Sequence, residues 1–176
     1  MNDKMNRAYG AKKLVETALF TALCCILTMV IQIPTPTNGY VNLGDCGVLL
    51  SAWILGPAYG AVAAALGSAM ADIFSGYAHY APATFLIKGS MAVAAGMIAH
   101  ASHAKGKKSA LLFRWVGALF AEVVMVLGYF LYAALLLGNG FGAIASIPGN
   151  FIQGVFSIAA AMALSGSLLQ ISQFKR

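Results

Sequence analysis

The chain has 176 residues, 60% of them hydrophobic and only 9% charged, with a mean hydropathy of +0.81; a soluble domain carries about a quarter charged residues. This excludes a soluble globular domain and describes an integral membrane protein, long enough for about five to seven spans of about 20 residues with short loops and no separate soluble domain. The net charge of +6 does not point to nucleic acid, because the basic residues fall in short runs between apolar segments rather than on a soluble face.

The start, MNDKMNRAYGAKKLVETALF, has a basic lead but no small-residue cleavage site. Its apolar run, 14–33, ends only at Pro34 and Pro36 and reads as a retained first helix, not a removed signal. The loop PTPTNGYVNLGD cannot continue a helix. Next comes a short segment, 44–55, that ends at Gly56 and Pro57, where proline opens a new helix better than it continues an old one. Segments 44–55 and 57–75 therefore form a tight hairpin, the first of them either starting as early as Val41 or lying in a thinned region. Cys24 and Cys25 are adjacent in the first span and Cys46 lies across a loop, so the cysteines are apolar filler and not a disulfide framework.

In the third segment Gly60, Ala64, Ser68 and Asp72 recur every four positions, a small-residue face that permits close backbone approach. In the fourth, 82–101, Thr84, Lys88, Ala92, Gly96 and His100 recur likewise, so the two faces are expected to pack together. A basic loop leads to a fifth run, 111–137, with Glu122, Met125, Tyr129 and Tyr132 on one stripe. A glycine-rich turn precedes the sixth run, 148–171, where Asn150, Gly154, Ser157 and Ala161 share a face beside Gln153. With six spans, Lys4, Arg7, Lys12, Lys13, Lys105, Lys107, Lys108, Arg114, Lys175 and Arg176 all fall on one side, which the positive-inside rule makes cytoplasmic, together with both termini.

The stretch DIFSGYAHYAPATFLIKG, 72–89, places an acid, two tyrosines, a histidine, a threonine and a lysine among apolar segments. A charge facing hydrocarbon costs several kcal/mol, so Asp72 and Lys88 face a cavity or each other, as ligand groups or as a structural ion pair. Tyr77 and Tyr80 suit either a membrane-interface belt or the walls of a cavity, and Tyr132, on its aromatic stripe, is a further substrate-binding candidate. Tyr40, Asp45, His79, Thr84, Lys88, Asn150 and Gln153 supply directional hydrogen bonds near the outer ends of the helices. Glu122 lies deeper, as a helix-packing hydrogen bond or as a proton or ligand site. No P-loop pattern occurs, His79, His100 and His103 lack metal-ligand spacing, and no nucleophile, base and orienting acid share one side, so neither self-powered ATP hydrolysis, metal binding nor a membrane hydrolase is expected.

The segment YVNLGDCGVLLSAWILGPAYGAVAAALGSAMADIFSGYAHYAPATFLIKG, continued more loosely through AEVVMVLGYFLY and the IPGN turn, resembles the substrate-binding S components of energy-coupling factor (ECF) vitamin transporters, specifically the riboflavin-type branch. The resemblance implies an all-α bundle of six transmembrane helices with both termini cytoplasmic. It also implies a ligand beneath the loop after the first helix, among the outer ends of the fourth, fifth and sixth helices. Ala18 and Ala22 match the Ala-x-x-x-Ala surface by which such proteins dock onto a transmembrane coupling protein, itself bound to two ABC ATPase subunits.

The expected function follows: a multi-pass subunit of the cell membrane, one domain over 1–176, that captures a vitamin or vitamin precursor from outside for ATP-driven import. It is not an enzyme and holds no catalytic cofactor. The ligand is a pyridoxine-like ring, a hydroxymethylpyrimidine precursor of thiamine, or riboflavin. Smaller rings are favoured because Trp53 and Trp115 fall toward the cytoplasmic side, leaving no tryptophan to stack on a tricycle. The rivals are a self-sufficient ion-coupled secondary carrier, with Glu122 or the Asp72 and Lys88 pair as coupling site, and a non-transporting assembly factor.

Overall fold

The computed structural model describes residues 2–101 and 107–168. His103, Lys105, Lys175 and Arg176 lie outside the described residues, as do the side chains of Lys4, Arg7 and Lys107. The described residues form six α-helices: α1 (Asn2–Val30), α2 (Gly44–Leu55), α3 (Pro57–Phe74), α4 (Ala81–His100), α5 (Lys107–Leu131) and α6 (Ile147–Leu168). Five segments are long and apolar enough to cross a membrane: Gly10–Val30, Pro57–Phe74, Ala81–His100, Lys108–Leu136 and Gly140–Leu168.

The remaining helix, α2, differs from these. At 12 residues, α2 is about 18 Å long, well short of a hydrocarbon core of about 30 Å. Every one of its residues is buried, so it meets protein instead of lipid, packing against α1, α3, α4 and α6. Its apolar face joins Met91, Ala92 and Ala95 of α4, Ala118, Ala121 and Met125 of α5, and Ile158 and Ala161 of α6 in one core. Gly56 (φ 91°) occupies the left-handed region that reverses the chain between α2 and α3, and Pro57 opens α3 where a missing N–H costs no helix bond.

Small residues set the helix spacing. A Cβ on Gly67 would stand 2.3 Å from the Thr21 carbonyl oxygen, so α1 and α3 touch backbone to backbone there. The face beginning at Gly60 does not serve α4 alone: a Cβ there would meet the Ala52 Cα at 2.7 Å, so this end of α3 seats on α2. On α4, Gly96 receives Pro57.

Three local features depart from the sequence reading. The loop after α1 contains an antiparallel pair, β1 (Ile33–Pro34) with β2 (Tyr40–Val41), closed around Asn38 (φ 59°) and Gly39. The fifth helix widens into a π turn over Tyr132–Leu136. The glycine-rich segment 140–146 is a 3-10 helix, not an open turn. The loops joining α1 to α2, α3 to α4 and α5 to α6 meet at the end of the bundle opposite the basic segments. Gln32 donates to Ser75 at 2.7 Å, Tyr80 to the Thr37 carbonyl at 2.7 Å, and Tyr132 to the His79 carbonyl.

Candidate substrate site

A cavity lies where these loops meet the helix ends. The loop between α1 and α2 covers it with Thr35, Thr37, Gly39, Tyr40 and Asn42. The walls and floor are Asp72 from the last turn of α3, Tyr80 and Thr84 from the start of α4, Tyr129 from α5, Ser146, and Asn150 and Gln153 from the first turns of α6. It is small, with about 30 Å³ open to the centres of water-sized molecules. Eleven of these side chains end in a hydroxyl, an amide or a carboxylate, an unusual density for a bundle whose outer surface is otherwise leucine, valine, isoleucine and phenylalanine.

Side chains hold the covering loop down at several points. Tyr40 donates to Asp72 Oδ1 at 2.7 Å, tying β2 to α3. The Asn42 backbone N–H donates to Gln153 Oε1 at 2.8 Å, tying the loop to α6. Burial, together with the Asp72 carboxylate beside it, pushes the Tyr40 phenol up from the usual tyrosine range, so it keeps its proton and remains a donor. Thr84 Oγ1 and the Tyr129 hydroxyl lie 3.0 Å apart across α4 and α5.

Asp45 and Lys88 stand behind the cavity and do not line it. Lys88 is 1% exposed and Asp45 is fully buried. Lys88 donates to Asp45 Oδ1, Gln153 Nε2 donates to Asp45 Oδ2 at 2.5 Å, and the Lys88 ammonium lies 5.3 Å from the centre of the Tyr129 ring. The structural pair of Asp72 with Lys88 is therefore not formed. Lys88 points to the first turn of α2, which the burial of that short helix brings beside α4, whereas Asp72 turns to Tyr40.

The remaining aromatic candidates form a collar beside the cavity. The Tyr40 and Tyr77 ring centres are 4.6 Å apart, His79 is 4.9 Å from Tyr80, and Tyr132 is 5.1 Å from Tyr80. His79 itself is exposed and Tyr77 and Tyr132 are half-buried. Thr35, Thr37, Gly39, Asn42, Tyr129 and Ser146 were not singled out as site residues from the sequence. Of these only Tyr129 carried a signal, its place on the stripe with Glu122 and Tyr132. Glu122 is buried deeper, and neither of its oxygens has a hydrogen-bond partner. On α1, Ala18 and Ala22 lie exposed on the face opposite buried Phe20, Cys24 and Thr28.

A membrane bundle built around a short buried helix, with one polar cavity roofed by a tethered loop, has the architecture of a substrate-binding membrane protein. Residues 9–170 match the model of a family described as "ECF-type riboflavin transporter, S component", and the chain belongs to that family. It is thus the substrate-binding S component of an ECF-type transporter, embedded in the membrane, and not an enzyme. Members of the family bind vitamins rather than catalytic cofactors and associate with the other components of an ECF transporter.

Two relatives cover most of the chain. A protein of Pyrococcus woesei described as "Uncharacterized protein in gap 3'region" is 37% identical over 76% of this chain and 85% of its own length. The "Thiamine precursor transporter HmpT" of Lactococcus lactis subsp. cremoris is 26% identical over 88% of this chain and 86% of its own. The fold matches that of the solved structure titled "Structure and mechanism of the S component of a bacterial ECF transporter", with a TM-score of 0.71, 23% identity, and coverage of 95% of this chain and 99% of that one.

Proposed function

We propose that the whole chain, 1–176, acts as one substrate-binding unit whose cavity under the 31–43 loop takes a small, single-ring vitamin or vitamin precursor from the outer side. Docking onto the transmembrane coupling protein through Ala18 and Ala22, with two ABC ATPase subunits behind it, then delivers the ligand inward. The observation that carries this reading is the placement of Tyr40, Asp72, Tyr80, Thr84, Asn150 and Gln153 around one cavity, which mixes tyrosine rings with polar side chains. A hydroxymethylpyrimidine precursor of thiamine and a pyridoxine-like ring both suit these walls. No tryptophan lines the cavity, and Trp53 sits deep in the core on α2, which disfavours the riboflavin tricycle. The thiamine precursor transported by the Lactococcus relative supports the same size class. Exposed alanines at 18 and 22 fit docking because a neighbouring helix can approach closely where side chains are small.

The test is mass spectrometry of the small molecule that co-purifies with the protein from cells, followed by the affinity of that compound for Asn150→Ala. A single-ring vitamin or precursor whose binding weakens at least about tenfold, roughly 1.4 kcal/mol, is the expected result. A co-purifying ligand whose affinity is unchanged in Asn150→Ala would move the site elsewhere.

A further inference from the structure

The two oxygens of Asp72 are not equivalent. Oδ1 accepts the Tyr40 hydroxyl at 2.7 Å, whereas Oδ2 is buried and has no hydrogen-bond partner. A buried acceptor left unpaired is costly, and more so when charged. Of the donors around it, Tyr80 is engaged with the Thr37 carbonyl and Lys88 with Asp45, while the Thr84 and Tyr129 hydroxyls share one hydrogen bond. No lysine, arginine or histidine lines the cavity among the described residues. The site therefore offers an incoming molecule one anionic acceptor and no cation in its lining. Across the space Asn150 presents an amide that can both donate and accept.

We infer that the ligand is a neutral or cationic planar nitrogen heterocycle that donates an N–H to Asp72 Oδ2, and that its phosphorylated form is rejected. The inference rests on the cavity being the substrate site, as proposed above. An exocyclic amine beside a ring nitrogen, as in an aminopyrimidine, and a protonated ring nitrogen, as in a pyridine, both supply this donor. A phosphate would meet the Asp72 carboxylate with no cation in the lining to bind it, Lys88 being committed to Asp45, and like charges in a poorly solvated cavity repel strongly.

The test is calorimetric titration of the purified full-length protein, and of Asp72→Asn, with five compounds. These are 4-amino-5-hydroxymethyl-2-methylpyrimidine, its 4-methoxy counterpart, its phosphate ester, pyridoxine and riboflavin. In the unaltered protein, the aminopyrimidine or pyridoxine should bind at least tenfold more tightly than the methoxy compound and the phosphate ester. Asp72→Asn should bring the preferred ring and the methoxy compound within about threefold of each other while its thermal unfolding midpoint stays near that of the unaltered protein. Preference for the aminopyrimidine identifies an exocyclic amine as donor, and preference for pyridoxine a ring N–H. Methoxy or phosphorylated ligands binding within threefold of the best compound would overturn the inference. Tightest binding of riboflavin, weakened by Asn150→Ala, would overturn it while leaving the cavity as the site. If none of the five binds, both the inference and the reading on which it rests fall.

Discussion

Two buried acids lie near the same end of the bundle, Asp45 at the start of α2 and Asp72 at the end of α3, and their surroundings differ in two respects. Asp45 uses both oxygens on protein donors, Lys88 and Gln153, and faces no open space. Asp72 uses one oxygen on Tyr40, keeps the other unpaired and lines a cavity. The first cluster is closed and braces α2, α4 and α6 against one another. The second is left incomplete by the protein and is open to completion by a ligand. The lesson is that burial and charge alone do not set a candidate site apart, being common to both clusters; Asp72 is distinguished by an unpaired oxygen together with a place in the cavity lining, which Glu122, also unpaired, does not have.

The largest expected effect breaks the closed cluster. Lys88→Met leaves the Asp45 carboxylate buried without its cation, which costs about 3–5 kcal/mol when one partner of a buried pair is removed. The thermal unfolding midpoint of the purified protein should fall sharply and recover in large part in the double variant Asp45→Asn with Lys88→Met. A midpoint that does not move in Lys88→Met would show that the two clusters are not different in kind.

Tyr40→Phe sharpens the contrast at the open cluster. It removes a hydrogen bond to a charged group, worth about 1.5–3 kcal/mol, and with it one tether of the covering loop. Ligand affinity should fall at least about tenfold, read by calorimetry, while the unfolding midpoint drops far less than in Lys88→Met because Tyr40 is only half-buried. Equal losses of stability in the two variants would contradict the division into scaffold and site.

The smallest effect on either cluster is expected from Ala22→Trp. This residue is exposed on α1, away from both acids, so affinity should stay within a few-fold and the unfolding midpoint near that of the unaltered protein. ATP-dependent uptake by the assembled transporter should nevertheless be lost, because a tryptophan prevents close helix approach. Normal uptake by this variant would place the docking face elsewhere.

Much of the frame was legible in the sequence because it is punctuated. Gly56 and Pro57 mark the end of α2 and the start of α3, and the structure places the short helix at Gly44–Leu55 as the pattern predicts. The four-residue spacing put Thr84 and Lys88 on one face of α4, and Asn150 with Gly154 on one face of α6. Spacing within one helix says nothing of the neighbour opposite. The partner of Lys88 lies 43 positions away on a helix too short to be placed by length, so the sequence suggests pairing only with Asp72, on the adjoining helix. The β1–β2 pair had a local signal in Asn38-Gly39, a favoured turn for a two-stranded ribbon, but the surrounding prolines and threonines read as loop. Thr35 and Thr37 enter the cavity lining through that ribbon, with no periodicity to reveal them. The 3-10 helix before α6 was hidden by its glycines, which in a linear reading argue for a turn.

The central claim is that Asp72 belongs to the site and the Asp45 and Lys88 pair to the scaffold. The measurement that tests it most directly is the affinity of the co-purifying ligand for two variants in parallel, Asp72→Asn and the double variant Asp45→Asn with Lys88→Met, each first shown to be folded by its thermal unfolding transition. The account predicts that Asp72→Asn loses at least tenfold in affinity, about 1.4 kcal/mol, while the double variant binds within a few-fold of the unaltered protein. Tenfold loss in the double variant with unchanged affinity in Asp72→Asn would reverse the assignment and contradict the account.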